Sequence, residues 1–391
     1  MKFAARMDQF QPGIFDVLGK LRSQRLAEGK KVYDLWVGTP DFPPTPHAMA
    51  AFTEAGKDPE MYKYSLGDLP ELTQAVIAWY RRRYGVELLP EEITSLNGSQ
   101  EGMAHVALPI CDPGDVVLVP NPGYPVFSIG PMLCGANIVE FPLYEKNGFL
   151  PDFEDIPEET ARAAKMIMVS YPANPVAAAA DMAFYEKLVD FCKKYDVIAV
   201  HDNAYSEIVH DGPAGISFLA ARGAKDVGIE LNSLSKSYNL TGLRISFAVG
   251  NREIIGKLKT VRSQIDYGVP FPVQKAAIAA LTGPQDCLDA LREGYRARRD
   301  ALCNGLKAIG WPVGPAEATM FVWVKLPPGR TDSFAFAKEL LDRSGVMCVP
   351  GVAFGSNGEG FVRFALTVPV EEIRSALADI DACGILKEQA E

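Results

Sequence analysis

The stretch Asn232-Ser-Leu-Ser-Lys-Ser-Tyr-Asn-Leu-Thr-Gly-Leu-Arg-Ile-Ser246 concentrates more reactive chemistry than any other part of the chain. Lys236 falls where a short apolar run, Gly228 to Asn232, gives way to a polar loop. Open α/β sheets place their ligands at such strand ends. Three hydroxyls, Ser233, Ser235 and Ser237, together with Arg244 could cradle a phosphate dianion, the guanidinium binding it as a planar fork. A lysine held among such groups can form a Schiff base once it loses its proton. The plain alternative is a polar turn with a solvated lysine. An S-x-x-K nucleophile motif, Ser233 to Lys236, lacks its K-T-G and S-D-N companions.

Three other strand ends carry matching chemistry. Val197 to Tyr205 ends an apolar run with the carboxylate of Asp202, followed by Tyr205. A carboxylate at the mouth of such a strand needs a cationic partner, and a protonated ring nitrogen would serve. Tyr171-Pro-Ala-Asn-Pro175 ends another strand with Asn174 in a polar turn. Asn97-Gly-Ser-Gln-Glu-Gly102 leads into an apolar segment, Met103 to Ile110, that reads as a helix whose first amides suit a phosphate.

The elements that must position these groups alternate along the chain. Helical spacing predicts helices over 69–83 and 181–195, and short apolar runs predict strands over 115–120, 166–170, 197–201, 228–232 and 244–249. This is an α/β fold, a mostly parallel sheet covered by helices on both faces. From about residue 284 the texture changes. A long helix over 288–309, a strand over 319–325, a helix over 333–343, a strand over 361–366 and a helix from Pro369 onward read as a smaller α+β domain. The expected division is an arm and part of the small domain at 1–45, a large domain at 46–285 and a small C-terminal domain at 286–391. Gly351 to Gly360 is glycine-rich without the strand-then-helix context of a dinucleotide loop, so it reads as a loop beside a strand.

Composition excludes several classes. With 39 Lys+Arg against 49 Asp+Glu the net charge is −10, which argues against nucleic acid or an anionic membrane as partner. The longest basic run, Arg81-Arg82-Arg83, reads as a solvated helix face. No apolar run approaches the roughly 18 residues of a membrane span. Seven scattered cysteines without a C-x-x-C pair read as free thiols in a reducing cytoplasm. The four histidines are scattered, and no metal site is expected.

These motifs, taken in order, resemble the class I/II aminotransferases, pyridoxal-phosphate enzymes of fold type I, over nearly the whole chain. Ser233 to Ile245 is similar to the family's cofactor-lysine signature. Leu35-Trp-Val-Gly-Thr-Pro-Asp-Phe-Pro-Pro44, Gly-Ser-Gln-Glu101, Asn-Pro-Gly-Tyr-Pro125, Tyr-Pro-Ala-Asn-Pro175 and Asp-Asn-Ala-Tyr205 stand in family order, and Gly358 to Leu366 resembles the carboxylate-binding segment. The resemblance implies an aminotransferase moving an amino group between an L-amino acid and a 2-oxo acid. Within the family the texture is most similar to the alanine and LL-diaminopimelate branch. It implies pyridoxal 5′-phosphate on Lys236, with Asp202 on the ring nitrogen. Tyr205 and Asn174 would bind the ring's 3-oxygen and Tyr124 would stack on the ring. Ser233, Ser235, Arg244 and the amides of Ser99 and Gln100 would hold the phosphate. Arg363 would take the substrate carboxylate, with the Gly38 backbone and Asn174 beside it. A tyrosine of Met61-Tyr-Lys-Tyr64, Tyr64 in preference to Tyr62, would reach the phosphate of a neighbouring subunit, which implies a homodimer with interfacial active sites.

Two departures stand out. Asn174-Pro-Val-Ala177 replaces the N-P-T-G of many relatives, and Ser246 stands where glycine is common. Arg262 is a candidate second cation for a dicarboxylate substrate, though a helix-surface position is the simpler expectation. Two rivals share the scaffold. A C–S β-lyase could use the same lysine, aspartate and arginine. A non-catalytic cofactor-binding regulator would need a DNA-binding segment for which the sequence leaves little room before Leu35.

Overall fold

Seven strands form the central sheet in the order 93–96, 246–250, 228–233, 198–203, 164–170, 116–121, 137–142. The computed structural model that shows this describes residues 1–10, 13–212 and 214–387. All neighbouring pairs are parallel except those of Ser246–Gly250, which runs antiparallel to both its neighbours. The expected mostly parallel sheet therefore carries one reversed strand near its edge.

Side-chain alternation along the strands explains why helices cover both faces. Ile167, Val169 and Ala199 pack into one apolar cluster with the helices Pro70–Tyr84, Met182–Tyr195 and Phe271–Thr282. The intervening Met166, Met168 and Val200 pack on the other side against Ser99–His105, Val126–Leu133 and Arg252–Ser263. The same period of two puts Asp202 on the face of Val200 and His201 on the opposite face. His201 lies in the core there, its Nδ1 3.0 Å from Glu230. Glu230, also fully buried, accepts from Tyr80 Oη, Ser217 Oγ and the Phe218 amide. That satisfied network fixes the strand next to Asp202 from below.

A second, three-stranded antiparallel sheet joins Val349–Pro350, Phe361–Ala365 and Phe321–Lys325. Its core gathers Trp311, Phe336, Val362 and Phe364, with Tyr33 and Leu35 from the start of the chain and Tyr205 and Ile208 from beyond the large sheet. The chain's first strand, Tyr33–Asp34, pairs with Val346–Met347. The helix Asp286–Ala308 lies across this second core.

Element boundaries follow local chemistry. Asp181 caps its helix by accepting from the Phe184 amide at 2.9 Å, and Asp332 does the same for Ala335 at 2.8 Å. Two expectations are corrected. The helix read at Met103–Ile110 begins at Ser99 and ends at His105. In the basic run Arg81 and Arg82 are exposed, as a solvated face requires, Arg81 paired with exposed Glu87, and only Arg83 departs from it. Arg82 donates to the Leu281 carbonyl, and Arg83 pairs at 2.6 Å with Glu207, whose carboxylate is buried. A buried carboxylate demands a cation, and charge patterning along one helix could not reveal it. Among the described residues no helix is long and apolar enough to cross a membrane.

Candidate active site

The carboxyl ends of three parallel strands converge on a cavity of about 500 Å3. Asp202 closes the strand Ile198–Asn203, Ser233 closes Gly228–Ser233, and Asn174 follows Ala164–Ser170 in a turn whose Tyr171–Pro172 and Asn174–Pro175 peptide bonds are cis. Ser99, Gln100, Tyr124, Asn174, Asp202, Tyr205, Ser233, Ser235, Lys236, Arg244, Gly38 and Arg363 all line this cavity. Residues nearly 330 positions apart in sequence thus meet at one place.

Lys236 sits in a single helical turn, Leu234–Ser237, capped by Ser233 Oγ, which accepts from the Ser235 amide at 3.1 Å. Its Nζ donates to the Gly38 carbonyl. Burial, then the nearby cations Arg244 and Arg363, lower its pKa from 10.5 to about 8. About a tenth of the amine is therefore unprotonated at pH 7, against a negligible share for an ordinary lysine.

Asp202 is 6% exposed, and its Oδ1 has no hydrogen-bond partner. Burial raises its pKa to about 7, opposed by His201 and by the Ala204 amide. Tyr205, buried beside it, has its hydroxyl pushed upward by burial and by the Asp202 charge, so it stays a donor. Tyr124 Oη donates to Gln100 at 3.2 Å, which ties the aromatic ring to the Ser99–His105 turn.

Arg363 shows how the second sheet contributes. Its neighbours Val362 and Phe364 point into the small core, so alternation turns Arg363 to the opposite side, into the cavity. The guanidinium is 2% exposed. It donates to Asn174 Oδ1 at 2.7 Å and to the Trp36 carbonyl at 3.0 Å, while Nε is left without a partner. The rings of Phe321 and Phe354 lie 3.9 and 4.7 Å from it. Burial lowers its pKa to about 10, still charged at neutral pH.

One end of the cavity has a close approach of a cation to a helix start. Gly98 has φ +91, and a methyl group there would overlap the Arg244 guanidinium. Only glycine lets that cation lie over the first amides of Ser99–His105, which have no partner within the helix. Orphan Oδ1 of Asp202 at one end and this cationic cradle at the other fit a phosphorylated cationic ring between them.

The structure also sorts the sequence candidates. Ser237 is turned away, its hydroxyl donating to the Ser233 carbonyl at 2.9 Å. Tyr64 lies outside this chain's cavity, 85% exposed, with its ring 6.2 Å from that of Tyr267. Arg262 is 3% exposed, pairs with Glu101 and Asp266 and donates to the Ser95 carbonyl, so it is neither on the helix surface nor in the cavity. Its place is beneath the loop that carries Ser99. Ala177, standing where glycine is common, takes the left-handed φ of +58 within the core. Ser246 opens its strand with a buried, unpartnered hydroxyl. Sequence reasoning missed Phe15, Val37, Thr39 and Phe321 on the cavity wall. Phe321 alternates with core residues on a strand, a signal without a direction. Phe15 belongs to a helix, Ile14–Ala27, that buries only Leu18.

A lysine after one strand of an open α/β sheet, an acid at the end of the next and an anion cradle opposite define a pyridoxal-phosphate enzyme of fold type I. The model of the family "Aminotransferase class I and II" matches residues 30–380, and the chain belongs to that family. It is a pyridoxal-phosphate-dependent transaminase acting on amino acids and their oxo acids. It is 42% identical over 382 residues to the LL-diaminopimelate aminotransferase of Dehalococcoides mccartyi, covering 97% of this chain and 98% of that one. The enzyme of that name from Moorella thermoacetica is 43% identical over 379 residues, 96% of this chain and 97% of the other. Among solved structures, substrate-bound BacF from Bacillus subtilis superposes with a TM-score of 0.94 at 34% identity over 98% of both chains.

The lowered lysine pKa has a kinetic consequence. Capture of pyridoxal phosphate by the apoprotein needs the free amine, so its rate should climb between about pH 7 and 9 and then level. Stopped-flow absorbance measures it. A rate still climbing steeply to the ordinary lysine value of 10.5 would contradict the electrostatics described.

Proposed function

We propose that Lys236 carries out the proton transfer of transamination in this cavity, and that Arg363 selects α-amino acids by their carboxylate. The observation that carries this reading is the convergence of Lys236, Asp202, Arg244 and Arg363 on one cavity. Pyridoxal phosphate, when bound, supplies an aldehyde for the lysine and a ring that takes up the electrons of the substrate's Cα–H bond. The remaining work falls to the chain. Arg244, Ser233, Ser235 and the amides of Ser99 and Gln100 would hold the phosphate. Asp202 Oδ1 would accept from the ring nitrogen and keep it protonated. Tyr205 Oη and the Asn174 amide nitrogen, left free because Asn174 Oδ1 serves Arg363, would donate to the 3-oxygen. Tyr124 would cover one face of the ring. The unpartnered Nε of Arg363 and its remaining N–H groups would take the carboxylate as a fork. Lys236 Nζ, displaced by the incoming amine and already depressed in pKa, would then shuttle the proton at the substrate's Cα.

LL-diaminopimelate, named in the relatives, is the donor this reading puts first. The division into a large domain of 46–285 and a small unit made from 1–45 and 286–391 is supported by the seven-stranded sheet lying in the first and the three-stranded sheet in the second. Seven unpaired cysteines agree with a cytoplasmic setting. Homodimerisation is supported by an exposed apolar cluster, Tyr64, Leu66, Ile265 and Tyr267. Tyr62 Oη, by contrast, is committed to the Gly56 carbonyl at 2.8 Å, which favours Tyr64 as the residue reaching a neighbour's phosphate.

Three experiments test the reading. Lys236→Ala should lose the cofactor's visible absorption and all turnover. Arg363→Ala should keep that absorption while KM for amino acids rises about a hundredfold. Turnover by Lys236→Ala, or an unchanged KM in Arg363→Ala, would sink it. Sedimentation equilibrium should give twice the chain mass, and Tyr267→Asp with Leu66→Asp should give monomers that bind cofactor more weakly. A monomeric wild-type protein would rule out the shared site.

A further inference from the structure

We propose that Arg298 is a positioning residue for substrate recognition. Acting through Asp41, it sets the stretch 36–41 against the strand that carries Arg363. The inference rests on the reading of Arg363 as the carboxylate receptor.

The stretch from Leu35 to Gly38 offers four successive carbonyls, and each is taken. Leu35 accepts from the Ala365 amide at 2.8 Å, Trp36 from Arg363 at 3.0 Å, Val37 from the Thr367 hydroxyl at 3.0 Å, and Gly38 from Lys236. Gly38 thus stands between the proton-moving lysine and the carboxylate-binding arginine. Its downstream anchor is Asp41. Arg298, on the Asp286–Ala308 helix, grips both Asp41 oxygens, Nη1 to Oδ1 at 2.6 Å and Nη2 to Oδ2 at 2.8 Å. The same Nη1 donates to the Leu366 carbonyl at 2.9 Å, just past the strand of Arg363. One guanidinium therefore fixes the spacing between the two backbones that frame the carboxylate.

Phe42 braces the grip. Its ring centroid lies 4.1 Å from the guanidinium carbon and 5.1 Å from the Tyr295 ring, edge-on. A Cβ at Gly294 would come within 2.7 Å of that ring, so the helix is notched to receive it. Arg298 is 6% exposed. The Asp41 side chain is 34% exposed, and an ion pair open to solvent on one side adds little net stability, whereas a planar fork adds orientation that a lysine cannot supply. Misplacing a binding group by about an ångström can cost up to a hundredfold in rate. The arrangement is therefore better explained by geometry than by stability.

The test uses the full cofactor-loaded chain with Arg298→Lys, Arg298→Ala and Asp41→Asn, the last preserving side-chain shape. Single-turnover loss of the cofactor's visible absorbance is followed with an α-amino acid and with the matching amine that lacks the carboxylate. The amino-acid-to-amine ratio of rate constants should fall about tenfold in Asp41→Asn and Arg298→Ala, with Arg298→Lys in between. KM for the amino acid should rise more than kcat falls. Equal losses for both substrates, tracking a lowered melting temperature, would reduce Arg298 to a structural role and overturn the proposal, as would an unchanged ratio. Arg363→Ala separates the two claims. If it leaves the ratio intact, the carboxylate reading itself fails. If it collapses the ratio while Arg298 and Asp41 variants do not, only the present inference fails.

Discussion

A carboxylate buried at the end of a parallel strand, with one oxygen left without a partner, governs this structure. Asp202 could have been neutralised by a nearby arginine, as Glu207 is by Arg83 and Arg292. Instead Asp202 lines the cavity with a buried Oδ1 that has no partner among the described residues, and burial raises its pKa to about 7. Desolvating an unpaired charge is expensive, and the fold tolerates it because the satisfied network of His201 and Glu230 holds the strand on the other face. The missing counter-charge is one that a cationic ring brings with it. Lys236 shows the complementary bias, its amine kept short of protons by burial and by Arg244 and Arg363. The two groups are poised in opposite directions within one cavity, which is the condition for acid and base roles at neutral pH.

The remaining architecture serves that pair by bringing distant chain segments to it. The large sheet supplies Lys236, Asp202 and the serines and Arg244 proposed to hold the phosphate. The second sheet supplies Arg363, and the start of the chain supplies the backbone of Trp36 to Gly38 that both cationic side chains grasp. Trp36 and Gly38 therefore join the two cores through hydrogen bonds to side chains of chemical importance. Substitutions in this junction are expected to read out in recognition before they read out in stability.

Much of this was legible in the sequence. Lys236, Asp202, Asn174 and Ser233 all sit just where an apolar run stops, and strand ends in α/β sheets are exposed by geometry to ligand. What escaped depended on tertiary placement. The reversal of Ser246–Gly250 leaves no trace in an apolar run, because a buried strand reads alike in both directions. Arg262 carries the sequence signature of a surface residue, yet it lies buried between its neighbour four residues on, Asp266, and Glu101 from a distant segment. Ser237 shares its composition with Ser233 and Ser235, but one residue of helical rotation turns it to its own backbone. Phe15 and Phe321 reach the cavity through packing that no local pattern encodes.

The central claim, that Asp202 is held at a cost the cofactor offsets, can be measured directly by comparing wild type with Asp202→Asn as apoprotein and with pyridoxal phosphate. A carboxyl whose folded pKa is raised from 3.8 to about 7 destabilises the apoprotein increasingly as pH climbs between those values and fully above the higher one. At about pH 8, thermal melting should therefore show Asp202→Asn apoprotein at least as stable as wild-type apoprotein, and the stabilisation gained on adding cofactor should shrink in the variant. An Asp202→Asn apoprotein that melts well below wild type, with an undiminished gain from cofactor, would contradict the account.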